Sequence, residues 1–183
     1  MKYLKLHFQE ARSMLYKTKL FWKDYCKKKF IHPDALEKKV ALLRKKKQTI
    51  ATLNGSFDLL HAGHLHILFE AAKTANILIV ALNTDASIKQ YKSQNRPIVP
   101  LQYRLEMMSA LEAVDYVTWF DEGDPRALLH KIRPDVHVNG SEYGDNCIEA
   151  DVVRLYGGRL HLVDRIDGLS TSQLLQKIQT LCV

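Results

Sequence analysis

From Thr49 onward the sequence alternates short apolar runs with stretches of helical period, and this constrains the fold more than any other feature. The runs are "TIATL", "NILIVAL", "YVTWF", "DVHVN" and "RLHLV". Between them stand "HLHILFEAAKTA", "LQYRLEMMSALEAV", "PRALLHKI" and "CIEADVVRLYG", and "SQLLQKIQTL" closes the chain. Strand and helix in strict alternation predict parallel strands joined by helical crossovers. Runs such as "NILIVAL", apolar at nearly every position, predict strands covered on both faces. The expected fold is therefore α/β, a Rossmann-like doubly wound parallel sheet. The segment "NTDASIKQYKSQNRPIVP" reads as a charged, flexible connection rather than an element.

Charge divides the chain near Lys47. Residues 1 to 47 hold 15 Lys and Arg against 4 Asp and Glu, whereas residues 48 to 183 hold 12 against 16. The basic segment also carries seven of the sixteen aromatics, including Phe8, Tyr16, Trp22 and Phe30, too many for a solvated tail. It predicts an N-terminal helical extension of two helices, one over about residues 3 to 29 and one over "HPDALEKKVALLRKKK", with Pro33 suited to its start. The chain is thus divided into an extension, residues 1 to 47, and a main domain, residues 48 to 183. The basic helices suit an anionic surface or, more simply, packing on the domain or a partner subunit.

The three cysteines, Cys26, Cys147 and Cys182, form no short-spaced pair, so neither a disulfide framework nor a thiolate zinc site is expected. No run approaches the roughly 20 apolar residues of a membrane span. No apolar core of a secretory signal opens the chain. A cytoplasmic protein is the expectation.

In such sheets ligands sit beyond the carboxyl ends of the strands, where strand order reverses. "NGSFDLLHAGHLHI", residues 54 to 67, follows the first strand and so occupies that place. Gly55 allows a sharp turn, and Gly63 lets a helix N-terminus approach a phosphate. His61 and His64 can turn toward one bound anion. A metal cluster of His61, His64, His66 and Asp58 is the minority alternative.

"GSFDLLHAGH" resembles the signature of the cytidylyltransferase-like nucleotidyltransferases, in which His-x-Gly-His follows the first strand. "RIDGLSTSQLLQKI", residues 165 to 178, is similar to that family's Arg-x-x-Gly-Ile-Ser-Thr-Thr segment. Two motifs in order, about a hundred residues apart, are far more specific than either alone. "RPIVPLQYR", "LEAVD" and "VNGSEY" further resemble the sugar-phosphate adenylyltransferase domain that makes ADP-heptose, where "KGGDY" stands in place of the last. Asn139 replaces that lysine, Ser56 stands where those enzymes usually have cysteine, and Ser172 replaces the final threonine.

The resemblance implies attack by a sugar-phosphate oxygen on the α-phosphate of ATP, releasing pyrophosphate. A CTP-using glycerol-phosphate cytidylyltransferase is the close alternative, and a non-catalytic nucleotide-binding adaptor using the basic helices the distant one. It further implies phosphate contacts from His61 and His64, and from Lys89 or Lys92 closing over the phosphates. Arg165, with Gly168, Ser170 and Thr171, would hold the β and γ phosphates. The nucleotide would also meet Asn54, Gly55, Ser56 and Phe57, with its base beside Asn139, Gly140, Glu142 and Tyr143. Asp58 would orient the histidine loop or touch substrate, and Arg104 would take the acceptor phosphate. Mg²⁺ would ride on the triphosphate with at most one carboxylate such as Asp58. The resemblance makes a homodimer the expected assembly.

Overall fold

A computed structural model describes residues 22 to 166, 168 and 170 to 181. The five predicted strands are all present: β1 Ile50–Gly55, β2 Ile77–Asn83, β3 Tyr116–Phe120, β4 Val136–Gly140 and β5 Arg159–Val163. They form one all-parallel sheet in the order β3-β2-β1-β4-β5. The helices are α1 Trp22–Lys27, α2 Leu36–Lys45, α3 Ala62–Ala72, α4 Asp85–Tyr91, α5 Leu101–Ala110, α6 Arg126–Ile132, α7 Ala150–Leu155 and α8 Thr171–Leu181. Most of the first predicted helix lies outside the described residues; α1 is its end.

Side-chain alternation along the strands explains the layering. Ala51, Leu53, Leu78, Val80 and Leu82 point to one face, where Leu68 of α3 and Met108 of α5 cover them. Ile50, Ile79 and Ala81 point to the other, under Leu128 and Ile132 of α6. Leu36, Val40 and Leu43 of α2 belong to this second layer. The basic second helix is therefore a wall of the core, and the seam at Lys47 marks a change of composition rather than a break in packing. Leu36 is wholly buried, a gain of about 1.5–3 kcal/mol for such a side chain.

The chain before α2 also closes the sheet edge. Val117 N–H of β3 donates to Lys29 O at 2.9 Å, and Ile31 N–H donates to Val117 O at 2.8 Å. Lys29 Nζ donates to Leu111 O at 2.9 Å and Val114 O at 2.6 Å, taking up carbonyls just beyond the end of α5. Pro33 opens a single 3-10 turn, Pro33–Ala35, ahead of α2. The helix ends without glycine because Lys47 itself adopts a left-handed φ of 57°.

One element went unread in the sequence. The segment after β2, expected as a flexible link, begins with α4, started by Thr84, whose hydroxyl accepts from Ser87 N–H at 3.1 Å. A Ser/Thr cap of this kind satisfies a free N–H of the first turn.

Strand order reverses between β1 and β4. These two strands pair only through Ala51↔Val136 and Thr52↔His137. Beyond Thr52 no ladder joins them, and a cleft opens between their ends.

Candidate active site

The cleft has a volume of about 790 Å³ and is lined at its base by Leu53, Asn54 and Gly55 of β1 and by Asn139 and Gly140 of β4. After β1 the chain turns through Ser56 and Phe57, the latter at a left-handed φ of 44° with its ring buried. A Cβ on Gly55 would sit 3.2 Å from that ring, so glycine suits this close approach.

The turn delivers His61 and His64 at the start of α3. Their rings stack with centroids 3.8 Å apart, and Phe57 backs His64 at 5.3 Å. Both Nδ1 atoms are buried and without a hydrogen-bond partner among the described residues. Burial lowers the pKa of His64 to about 4, helped by His61 and Lys92 nearby. His61 is lowered by burial and then by Arg165. Both rings are thus neutral donors at neutral pH, placed side by side on one wall.

Around them converge Lys92, Arg165 and the N-terminal turn of α8 with Ser170 and Thr171. Lys92 Nζ donates to Ser56 Oγ at 2.8 Å; its pKa is lowered by desolvation and then by Arg96. Arg165 reaches Glu142 at 3.5 Å across the cleft mouth. Ser170 caps α8, its Oγ accepting from Gln173 N–H at 3.2 Å. Glu142 and Tyr143, on the 3-10 turn after β4, complete this side. Stacked neutral imidazoles, two cations and a helix N-terminus in one cleft are an arrangement chemically suited to anions.

Four residues expected at the site stand elsewhere. Lys89 is exposed on α4 and does not line the cleft, leaving Lys92 as the lysine that does. Gly168 lies outside the lining and turns the chain at φ 75°. Asp58 is 1% exposed and accepts from Arg96 Nε at 2.6 Å, Ile98 N–H at 3.0 Å and Val99 N–H at 2.8 Å. It anchors the loop after α4 and does not line the cleft. Arg104 is fully buried, donating to Val99 O, Ser56 O, Asn83 O and Asp85 Oδ1 at 2.6–2.9 Å. An acceptor phosphate cannot reach it. It knots the ends of β1 and β2 to the loop instead.

Sequence reading passed over Tyr91, Arg96 and Glu149, which do line the cleft. Arg96 had a signal, standing in the "RPIVP" run. Glu149 had none, since it follows an irregular turn. It is 5% exposed and accepts from Asn54 Nδ2 at 3.5 Å and Asn139 Nδ2 at 3.4 Å, with the Cys147 thiol beside it. Burial, then Glu149, pushes that thiol's pKa up.

No group of three or more metal-ligating side chains occurs among the described residues. His66 does not line the cleft, which removes the histidine cluster weighed above. Mg²⁺ bound mainly by phosphates and water needs no such group, and Asp124, Glu142 and Asp164 line the cleft. Among the described residues no helix is long and apolar enough to cross a membrane.

A parallel sheet with this strand order, carrying a cleft with paired histidines at its switch point, defines a Rossmann-like nucleotidyltransferase fold. The chain belongs to the cytidylyltransferase-like family, whose model matches residues 52–179. It is 40% identical over 136 residues to the bifunctional protein HldE of Syntrophotalea carbinolica, covering 74% of this chain and 28% of that protein. It is also 40% identical over 148 residues to HldE of Salmonella arizonae, covering 80% and 31%. The chain thus spans about three tenths of the length of these relatives. Among solved structures it is similar to the lipopolysaccharide core biosynthesis protein from Thermoplasma volcanium GSS1, at TM-score 0.52 and 27% identity over 65% of this chain and 97% of that one.

Proposed function

We propose that the protein transfers the adenylyl group of ATP to a sugar 1-phosphate, heptose 1-phosphate foremost, releasing pyrophosphate and forming ADP-heptose. The observation that carries this reading is the stacked His61–His64 pair facing Lys92, Arg165 and the α8 N-terminus in one cleft. The similarity to HldE supports the choice of nucleotide and acceptor.

The acceptor phosphate is already ionised near neutral pH, so the reaction needs neither a general base on the nucleophile nor a covalent intermediate. A phosphate oxygen of the acceptor attacks the α-phosphorus while the bond to the bridging oxygen of pyrophosphate breaks. Negative charge grows on the non-bridging and leaving oxygens, where His61 and His64 donate hydrogen bonds. Lys92 and Arg165 hold the phosphate chain, and Arg165 exchanges Glu142 for the ligand. Ser170 and Thr171 add hydroxyl and backbone donors. Mg²⁺ bound to the triphosphate would neutralise part of its charge. A homodimer is the proposed assembly, checked by light scattering.

The test is pyrophosphate release by the purified chain with Mg²⁺, offering ATP or CTP against heptose 1-phosphate or glycerol 3-phosphate. Release with ATP and heptose 1-phosphate alone is expected. Release only with CTP and glycerol 3-phosphate would replace the substrate assignment. No release, with ATP still raising thermal stability, would replace turnover with binding.

A further inference from the structure

The cleft has two chemically different banks, and Glu149 on the second has no role in the reaction described above. On the first lie His61, His64, Lys92 and Arg165, suited to phosphate. On the second a carboxylate is nearly buried without a cation: among the described residues no lysine or arginine pairs with Glu149, since Arg165 turns to Glu142. Its partners are two amide groups at 3.4 and 3.5 Å, the long limit of a hydrogen bond, and a weak thiol donor.

A carboxylate offers about four lone-pair positions and can only accept. Here each oxygen accepts from one amide, Oε1 from Asn54 and Oε2 from Asn139, and Glu149 lines the cleft with acceptor capacity left over. Asn54 adds a buried Oδ1 that has no partner. Buried acceptors without donors are costly and rare in folded proteins. A phosphate would be repelled here, whereas a ligand carrying two adjacent donors would complete the set.

We infer that Glu149, held between Asn54 and Asn139, is a subsite for the vicinal hydroxyls of a sugar whose phosphate lies on the histidine bank. Placement along the chain supports a sugar rather than a base. Asn54 directly precedes Gly55 and Ser56, and Lys92 is bound to Ser56. A sugar joined to a phosphate held at Lys92 would lie beside this same turn, a description that fits both the ribose of the nucleotide and the sugar of the acceptor. A vicinal diol gives one hydrogen to each carboxylate oxygen; an exocyclic amine can satisfy only one in the carboxylate plane. The inference rests on the nucleotidyltransferase reading above.

The test compares the full chain with Glu149→Gln, which keeps the shape and loses one acceptor. Calorimetry would measure ATP, 2′-deoxy-ATP, 3′-deoxy-ATP and ITP, and steady-state kinetics the KM for heptose 1-phosphate and its 2-deoxy analogue. If the diol is the ribose, wild type binds ATP about tenfold tighter than the deoxynucleotides and the variant abolishes that preference. If it is the acceptor sugar, the variant leaves nucleotide affinity alone and raises acceptor KM by about tenfold. A folded variant indistinguishable from wild type on both substrates overturns the inference, as does loss of the ATP over ITP preference with deoxy discrimination intact. Should the variant not fold, the wild-type panel decides: equal affinity for every deoxy analogue and its parent overturns it. Failure of wild type to bind ATP or CTP at all would instead defeat the nucleotidyltransferase reading.

Discussion

His64 shows how one residue joins folding to chemistry. Its ring is sandwiched between Phe57 and His61, and burial keeps it neutral with a pKa of about 4. His64→Ala should retain the fold and lower turnover by about 10²–10⁴ if the ring stabilises charge in the transition state; the paired readout is circular dichroism and pyrophosphate release. His137 on β4 is also buried and neutral at about 4, its Nδ1 2.8 Å from Thr52 Oγ1. Between pH 6.5 and about 4 the unfolded chain binds a proton on this residue that the folded chain refuses. Stability is therefore full above pH 6.5 and declines as pH falls toward 4, by on the order of 3 kcal/mol from this group. His137→Asn cannot titrate, so its urea midpoint should drop less than that of wild type between pH 7 and 4.5. His61 and His64 were legible because their motif is local. Arg104 and Asp58 were legible as important but not in role, because their partners lie far away in sequence, from Ser56 to Val99. Glu149 carried no local pattern.

Elements were legible wherever hydrophobic period and length agreed, which covers all five strands. Composition set α2 apart as an extension, yet its helical period put Leu36, Val40 and Leu43 on one face and favoured packing on the domain, and these residues close one layer of the core. Leu36→Ala should cost about 2–5 kcal/mol in urea denaturation, the range for a fully buried leucine. Deleting residues 1 to 45 should leave a chain that does not fold cooperatively, because Ile50, Ile79 and Ala81 would lose part of their cover. A folded, active deletion product would show that α2 is dispensable. The helix α4 was missed because its capping threonine and short length resemble a turn, and only Ser87 and Ile88 are buried.

At the scale of the whole molecule, the sheet is two unequal halves. β3, β2 and β1 carry the turn to the histidines, and Lys92 and Arg96 follow β2; β4 and β5 carry Asn139, Glu149 and Arg165. β1 and β2 are paired at six positions and β1 and β4 at two. The sparse ladder lies directly under the cleft, so any ligand touching both walls spans the thinnest seam in the sheet. Such a ligand acts as a rivet. Amide hydrogens of Leu53, Asn54 and Val138, next to that seam, should exchange with deuterium more slowly once nucleotide and Mg²⁺ are bound, while those of β2 change little. The few rungs between β1 and β4 would then make occupancy of the cleft audible in the backbone itself.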